Sequence, residues 1–181
     1  MRGAELVDFG GAALSREEAF HVLAHRHLEA SYRLARAILH DAADAEDATH
    51  DAVLTAWAKW ATLRDPGRFD HWFDRILVNT CRNRLRSRAR RWRSVWEGEG
   101  AGDQADPMGA IAEREAIRRA LASLSADHRL VVALRFYRDL TVPEIAELVG
   151  VRQGTVKSRL HHALRRLHAE LNDADPEEGR Q

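Results

Sequence analysis

Residues 141–160 read TVPEIAELVGVRQGTVKSRL, and this stretch has the pattern of a helix–turn–helix. Thr141 is a good N-cap, and Glu144 three residues later completes a capping box. Gly150 supplies the left-handed residue that ends the first helix of the pair. A second helix then begins near Gln153. In proteins with this motif the second helix lies in the major groove of DNA.

The second helix of this motif has an apolar face and an opposite face without carboxylates. No acidic residue occurs between Arg152 and Ala169. Such a surface suits a partner that carries phosphates, although a helical hairpin with a solvated face is the alternative. The apolar positions are Val156, Leu160, Ala163, Leu164 and Leu167. The predicted DNA-contacting residues are Arg152, Thr155, Lys157, Ser158, His161, His162 and Arg165.

Charge is strongly segregated in a chain of 181 residues whose formal net charge is zero. Seven arginines and no acid occur between Arg82 and Arg93, whereas the segment around residues 97–115 is mostly acidic. Blocks of this kind indicate local interaction surfaces.

The single cysteine, Cys81, excludes an internal disulfide and is predicted to be a buried small residue in a reducing compartment. No apolar run is long enough to span a membrane and no secretion signal opens the chain, which predicts a cytoplasmic location.

The predicted fold class is all-α, with two small helical domains joined by a flexible acidic linker and a helix–turn–helix in the second domain. No segment shows the sustained alternation that indicates strands. The predicted boundaries are a flexible leader at 1–14, a helical domain at 15–93, a linker at 94–109, a second domain at 110–171 and a flexible tail at 172–181.

Helices are predicted at residues 16–39, 43–60, 65–92 and 111–124, and a further helix follows a Ser125 cap. Ser15 and Glu18 form a second capping box, and Asp65-Pro66 is an N-cap followed by proline at the first helical position. The predicted buried positions of the first domain are Phe20, Leu23, Leu28, Leu34, Ala35, Ile38, Val53, Ala56, Trp57, Trp60, Phe69, Trp72, Phe73, Ile76, Leu77 and Thr80. Those of the helix after Ser125 are Val131, Val132, Leu134 and Phe136.

The end of the third helix is the second candidate surface. Asn79 and Asn83 are four residues apart, and Arg86 and Arg90 continue the same side of the helix. Amides and guanidinium groups in one stripe suit contact with exposed bases and with the nucleic-acid backbone. Aromatic residues could stack on unpaired bases, but Phe69, Trp72 and Phe73 fall on the apolar stripe, which favours a core position.

The second helix carries the third candidate surface, an acidic stripe. Its members Asp44, Asp47, Asp51, Thr55 and Ala58 lie opposite the Val53/Trp57 side of the helix. Asp44 and Asp47 lie near the start of the helix, where acids complement the helix dipole, and this effect alone would explain their presence. Asp51 extends the stripe by a further turn, which favours a docking face for a basic protein partner.

The sequence predicts no catalytic residue, no metal site and no cofactor. It has no phosphate-binding glycine loop and no nucleophile elbow. His21 and His25 have the spacing of metal ligands on a helix, but no further ligand cluster accompanies them. A metal-dependent nuclease that uses the acidic stripe is a third, weaker hypothesis.

Three segments together resemble bacterial RNA polymerase sigma factors of the short, two-domain extracytoplasmic-function group. They are DAEDATHDAVLTAW at 44–57, WFDRILVNTCRNRLR at 72–86 and LTVPEIAELVGVRQGTVKSRL at 140–160. The resemblance implies that the acidic helix docks on a coiled coil of the polymerase β′ subunit. It further implies that Asn79, Asn83 and the loop at 62–65 face extruded bases of the promoter −10 element, and that the recognition helix reads the −35 element.

The same resemblance implies a linker in the RNA exit path of the polymerase and an anti-sigma factor as a further partner. This chain departs from the family where it has His50, Val53 and Asn83, and where His161 and His162 replace the usual arginine or aromatic residues. The competing hypothesis is a stand-alone helix–turn–helix regulator that binds duplex DNA without polymerase.

Overall fold

The computed structural model describes residues 6–9, 12–94 and 111–172. Within these ranges the chain is helical apart from one hairpin, which confirms the predicted all-α class. The predicted linker and tail lie almost wholly outside the described residues. The elements are β1 (Leu6–Phe9), β2 (Ala12–Ser15), α1 (Arg16–Leu39), α2 (Ala42–Lys59), α3 (Phe69–Ser94), α4 (Ile111–Ala122), α5 (Ala126–Tyr137), α6 (Val142–Val149) and α7 (Gln153–Asn172), with short 3₁₀ turns at Trp60–Thr62 and Pro66–Arg68.

The hairpin of β1 and β2 lies largely within the segment predicted as a leader, where the sequence shows no alternation typical of strands. The two strands are antiparallel, with Leu6 opposite Ser15 and Phe9 opposite Ala12. Gly10-Gly11 separates them in the sequence, and two glycines between apolar runs are a hairpin signal. The strands are four residues each, too short for an alternation to be evident.

Helix caps follow the predicted pattern closely. Glu18 accepts a hydrogen bond from the Ser15 backbone N–H at 2.9 Å, and its own N–H donates to the Ser15 hydroxyl at 3.3 Å. At α6, the Glu144 carboxylate accepts from the backbone N–H of Thr141 at 2.7 Å. Gly150 ends α6 with φ 71°, a left-handed conformation that favours glycine. The two predicted capping boxes are therefore confirmed, and so is the turn that leads into α7.

Aromatic side chains form the centre of the first three helices. Phe69 and Phe73 are fully buried and stacked with ring centroids 5.4 Å apart, and Phe20 and Trp60 pack edge-on against Phe69. The Trp60 indole N–H donates to the carbonyl of Arg16 at 2.8 Å, which ties the end of α2 to the start of α1. The core position of Phe69 and Phe73 is confirmed, so they are not available for stacking on bases.

The buried face of α2 is made of small residues, and this corrects the prediction. Val53 is half-buried, and Trp57 is 44% exposed although it touches Phe20. The fully buried positions are Ala45, Ala48, Ala52 and Ala56. Alanine lets the backbones of neighbouring helices approach closely, whereas the large residues lie at the edge of the contact.

Three other predicted core residues are exposed, namely Leu28 (44%), Phe136 (60%) and Leu164 (45%). At 100° per residue, Leu28 lies about 80° around α1 from Phe20, and Leu164 lies about 80° around α7 from Val156. These positions fall on the edge of the apolar stripe, where neighbouring helices no longer cover them.

The helices on either side of the undescribed segment pack against each other. We call α1–α3 the first half and α4–α7 the second half. Buried residues of α5 and α6 join the same apolar cluster as those of α1 and α3. Polar links cross the contact as well: Arg82 donates to the carbonyl of Val149 at 2.8 Å, Arg75 pairs with Glu147 at 3.0 Å, and Arg129 donates to the carbonyl of Ile38 at 3.3 Å.

Candidate nucleic-acid and protein interfaces

The recognition helix α7 rests on the second half through one narrow face. Val156 and Ala163 are fully buried, and Leu160 and Leu167 are half-buried against α4 and α5. The opposite side is open, and every predicted DNA-contacting side chain lies on exposed surface. These exposed residues are Arg152, Thr155, Lys157, Ser158, His161, His162 and Arg165.

Neighbouring side chains shape the flank of this surface. Arg159, which is only 23% exposed, forms an ion pair with Asp127 at the start of α5. The His162 ring stacks on His128 with centroids 6.4 Å apart and contacts His161 at 5.6 Å. Sequence reasoning missed His128, because it is on another helix and only the fold brings it beside α7. The recognition surface therefore carries three neighbouring imidazoles in addition to its cations.

The predicted stripe on α3 is also exposed where the structure describes it. Asn79, Asn83 and Arg86 are exposed, whereas the Arg90 side chain lies outside the described side chains. Hydrogen bonds hold both ends of the loop at 62–65. The Thr62 hydroxyl donates to the Lys59 carbonyl at 2.7 Å, and the Asp65 carboxylate accepts from the backbone N–H of Gly67 at 2.9 Å. Asn79 lies ten residues into α3, about 15 Å from the helix start that follows this loop.

The acidic stripe on α2 has basic partners within the chain, which sequence reasoning did not foresee. The Arg84 guanidinium bridges Asp51 at 2.6 Å and Asp47 at 3.2 Å, and Arg88 pairs with Asp44 at 3.2 Å. Desolvation is the largest single influence on the pKa of Arg84 and lowers it. The hydrogen bonds and charges of Asp51 and Asp47 together outweigh desolvation, so the pKa of Arg84 is raised. The side chains of Asp47 and Asp51 nevertheless stay 67% and 51% exposed.

An exposed leucine extends the same side of α2. Leu54 is 54% exposed and lies three residues after Asp51, so both point to one side of the helix. Thr55 is half-buried beside it. A single exposed apolar residue is common on protein surfaces, so Leu54 gives no signal in the sequence until the fold places it beside Asp51.

A groove between α2 and α3 brings the second and third candidate surfaces together. Its volume is about 560 Å³, which is in the range of small-ligand clefts. Asp51, Leu54 and Thr55 line one wall, and Asn83 lies on the other. The sequence treated these surfaces as separate, whereas the fold places them on the two walls of one groove.

The buried thiol of Cys81 has no access to solvent, and desolvation raises its pKa to about 12. This confirms its predicted position as a small core residue. None of the described helices is long and apolar enough to cross a lipid bilayer.

Comparison with protein families gives two matches that follow the two halves. Sigma-70 region 2 matches residues 23–91, and Sigma-70 region 4 matches residues 120–169. Among curated proteins, the chain is 34% identical to the ECF RNA polymerase sigma factor SigL of Mycobacterium tuberculosis, over 90% of this chain and 94% of that protein. It is 33% identical to the RNA polymerase sigma-E factor of Streptomyces coelicolor, over 79% of this chain and 80% of that protein.

Two solved structures have a similar fold, and one of them is a sigma factor. The sigma factor RpoE of Bartonella quintana, solved in complex with the anti-sigma factor NepR, matches with a TM-score of 0.67 and 25% identity, over 86% of this chain and 96% of that one. CnrH, solved in complex with the cytosolic domain of CnrY, matches with a TM-score of 0.63 and 28% identity, over 88% of this chain and 90% of that one.

The chain belongs to the sigma-70 family, the class of proteins that direct bacterial RNA polymerase to promoters. Within that family its relatives are the ECF sigma factors, which confirms the resemblance seen in the three sequence segments. The alternative of a stand-alone regulator is not favoured.

Proposed function

We propose that this sigma factor acts through three surfaces: a docking face on α2, a single-strand-binding face on α3 and a duplex-reading face on α7. The observation that carries the proposal is the surface of α7 and the preceding Arg152, where all seven candidate residues are exposed and residues 152–169 include no acid. The chain itself catalyses nothing in this proposal, because the polymerase core makes the RNA. It acts in the cytoplasm with the polymerase.

The docking face consists of Asp47, Asp51 and Leu54, with Asp44 and Thr55 at its edges. An exposed leucine next to exposed carboxylates suits a partner helix with apolar and basic positions, as a coiled coil of the β′ subunit provides. The Arg84 guanidinium already forms ion pairs with Asp47 and Asp51, so docking replaces Arg84 with a basic group of the polymerase as their partner. Charge reversal at these acids would place lysines beside Arg84 and would disturb the fold, so it is a poor test of docking.

Leu54→Ser is the sharper test of the docking face. Leu54 is 54% exposed, and its replacement is not expected to affect folding. Leu28→Ser on α1 is the matched control, because Leu28 is a leucine with 44% exposure on another helix. We expect Leu54→Ser to weaken binding to purified core polymerase at least tenfold and Leu28→Ser to change it less than twofold. Equal affinities of the two variants would remove Leu54 from the docking face.

The single-strand-binding face consists of Asn79, Asn83 and Arg86, and Arg90 is assigned to it from the sequence. The amides offer donors and acceptors to the edges of extruded bases, and the arginines hold the backbone. Capture of flipped bases offsets the cost of unstacking them. Asn79→Ala and Asn83→Ala should therefore reduce open-complex formation and leave core binding unchanged. An equal loss of both activities would contradict this assignment.

The duplex-reading face takes the −35 element, with Lys157 and Arg152 on phosphates and with Ser158, His161, His162 and Arg165 at base edges. Thr155 lies at the start of the same face. An anti-sigma factor is proposed as a regulatory partner, since the sigma factor RpoE was solved with the anti-sigma factor NepR.

The experiment that tests the whole proposal is a pull-down with purified bacterial core polymerase, followed by run-off transcription from a pool of genomic promoter fragments. Stable one-to-one association and new promoter-specific transcripts are expected. Tight duplex binding by the free chain, without association with polymerase, would instead support a stand-alone regulator.

A further inference from the structure

A pocket of about 440 Å³ lies where the first half meets the second half. The end of α1, the middle of α3, α4 and α5 all contribute to it. Four arginines line this arginine pocket, namely Arg88, Arg118, Arg119 and Arg129, and Asp41 is the carboxylate among the lining residues. Arg88 comes from the first half and the other three come from the second half. The pocket therefore exists only while the two halves are packed together.

Arg129 brings to this pocket a positive charge that no carboxylate among the described residues pairs with. Arg88 pairs with Asp44 at 3.2 Å and lies 3.9 Å from Asp41. Arg129 donates to neutral carbonyl oxygens, those of Ile38 at 3.3 Å and Leu124 at 3.1 Å, which leaves its charge in place. Burial lowers the pKa of Arg129, and the repulsion from Arg88 lowers it further. An anion in this pocket would relieve that repulsion.

The chemistry of the lining residues selects for phosphate. Guanidinium groups bind phosphate oxygens through two parallel hydrogen bonds, and Arg118 and Arg119 are adjacent on α4. The volume lies within the range of pockets for small molecules, so a compact ligand with several phosphates fits and a folded protein segment does not. Leu39 and Leu85 give the pocket an apolar wall as well.

We propose that the arginine pocket binds an oligophosphate anion, and that this anion bridges Arg88 of the first half to Arg118, Arg119 and Arg129 of the second half. The shared chemistry is a chain of phosphates, which an inorganic polyphosphate or a nucleoside polyphosphate supplies. A ligand that contacts both halves binds the packed arrangement more tightly than any arrangement in which they separate, and it shifts the population accordingly. This proposal does not depend on the function proposed above.

Calorimetric titration of the full chain with inorganic tripolyphosphate at constant ionic strength tests the site. One equivalent is expected to bind, and Arg118→Ala combined with Arg119→Ala should weaken binding at least tenfold. Arg68→Ala is the matched control, because Arg68 is an arginine with 83% side-chain exposure in the turn before α3, outside the pocket. Binding that fails to saturate at one equivalent, or an equal loss in the control and the pocket variant, would overturn the proposal.

The bridge has its own test in Arg88→Lys. This variant keeps the charge beside Asp44 and removes the forked donor, so its fold is expected to be unchanged. We expect severalfold weaker tripolyphosphate binding, whereas an unchanged affinity would show that the first half does not contribute and would overturn the bridge.

Titrations with adenosine and guanosine triphosphates distinguish the two sources of the phosphate chain. If they bind more tightly than tripolyphosphate, the apolar wall contacts a nucleoside. If they bind equally well, the pocket recognises the phosphate chain alone. Neither titration requires polymerase, so a failure of the proposed function would leave both results standing.

Discussion

Arg138, the C-cap residue of α5, and Asp74 of α3 form an ion pair of 2.8 Å across the contact between the two halves, where their side chains are only 15% and 9% exposed. Arg138 also donates to the hydroxyl of Ser31, which is fully buried. Within the described part of the chain, the Nε of Arg138 is buried without a hydrogen-bond partner. A buried pair with an unsatisfied donor stabilises a fold little in net terms, yet losing one partner leaves an uncompensated charge.

Removal of one partner of this pair should therefore be costly. We predict that Arg138→Ala or Asp74→Ala lowers the free energy of unfolding by about 3 kcal/mol, as urea denaturation would measure it. The double variant Arg138→Met with Asp74→Leu should recover more than half of that loss, since no charge remains buried. Arg75→Ala is the control at the same contact: its pair with Glu147 is exposed, so a loss of less than about 1 kcal/mol is expected. Additive losses in the double variant would contradict the argument.

Asp74 also gives the contact a dependence on pH. Burial raises the pKa of Asp74, and Arg138 offsets only part of that effect. The folded state therefore binds a proton more tightly than the unfolded state does at this site. Its contribution to stability is present below the unfolded pKa and is lost as the pH rises through the folded pKa. The stability of the natural chain relative to Asp74→Asn should therefore fall as the pH rises above about 4. Melting temperatures of both chains over a series of pH values would measure this, and a constant difference between them would contradict it.

Two glycines in the helix–turn–helix should respond to alanine in opposite directions. Gly150 has φ 71°, and a Cβ there meets no atom within 4 Å, so the cost of alanine is purely conformational. We predict that Gly150→Ala lowers stability by about 1–2 kcal/mol. Gly154 lies in α7 with equally open space, so Gly154→Ala should raise stability by about 0.4–1 kcal/mol. Thermal unfolding of both variants checks the pair, and shifts of the same sign would contradict it.

The Cys81 thiol should be inert while the chain is folded. It is fully buried, and its pKa of about 12 leaves almost no thiolate at neutral pH. With Ellman's reagent at pH 8, we expect no reaction with the native chain and one equivalent of thiol after addition of urea. A fast reaction of the native chain would mean that α3 separates from its neighbours on that timescale.

The cations of the recognition helix should differ from its neutral residues in their response to salt. Lys157 and Ser158 are adjacent and both exposed. In the polymerase complex, Lys157→Ala should reduce the slope of log affinity against log salt by about one, because one phosphate contact is lost. Ser158→Ala should weaken binding in a sequence-dependent manner and leave the slope unchanged. Fluorescence titrations at several salt concentrations separate these outcomes.

Sequence reasoning succeeded where the signal is local. The capping boxes at Ser15 and Thr141, the left-handed Gly150 and the exposed side of α7 all depend on residues within a few positions of one another. At α2 and the turn after it, the predicted Ala56 and Trp60 are buried, but Ala45, Ala48 and Ala52 were missed, because a search for periodic large residues passes over a face made of alanines. Sequence reasoning also missed the bridge from Arg84 to Asp47, since nothing in a sequence shows which helices lie side by side.

The alanine face of α2 restricts how this chain can change over generations. Ala45, Ala48, Ala52 and Ala56 are each fully buried, so a larger side chain at any of them would force α2 away from its neighbours. The exposed positions of the same helix, among them Asp47, Asp51 and Leu54, carry no such restriction. In a library of random variants selected only for folding, we expect these four positions to stay small while the docking side of the same helix diversifies. New partner preferences in this protein are therefore more accessible to evolution than new helix packing.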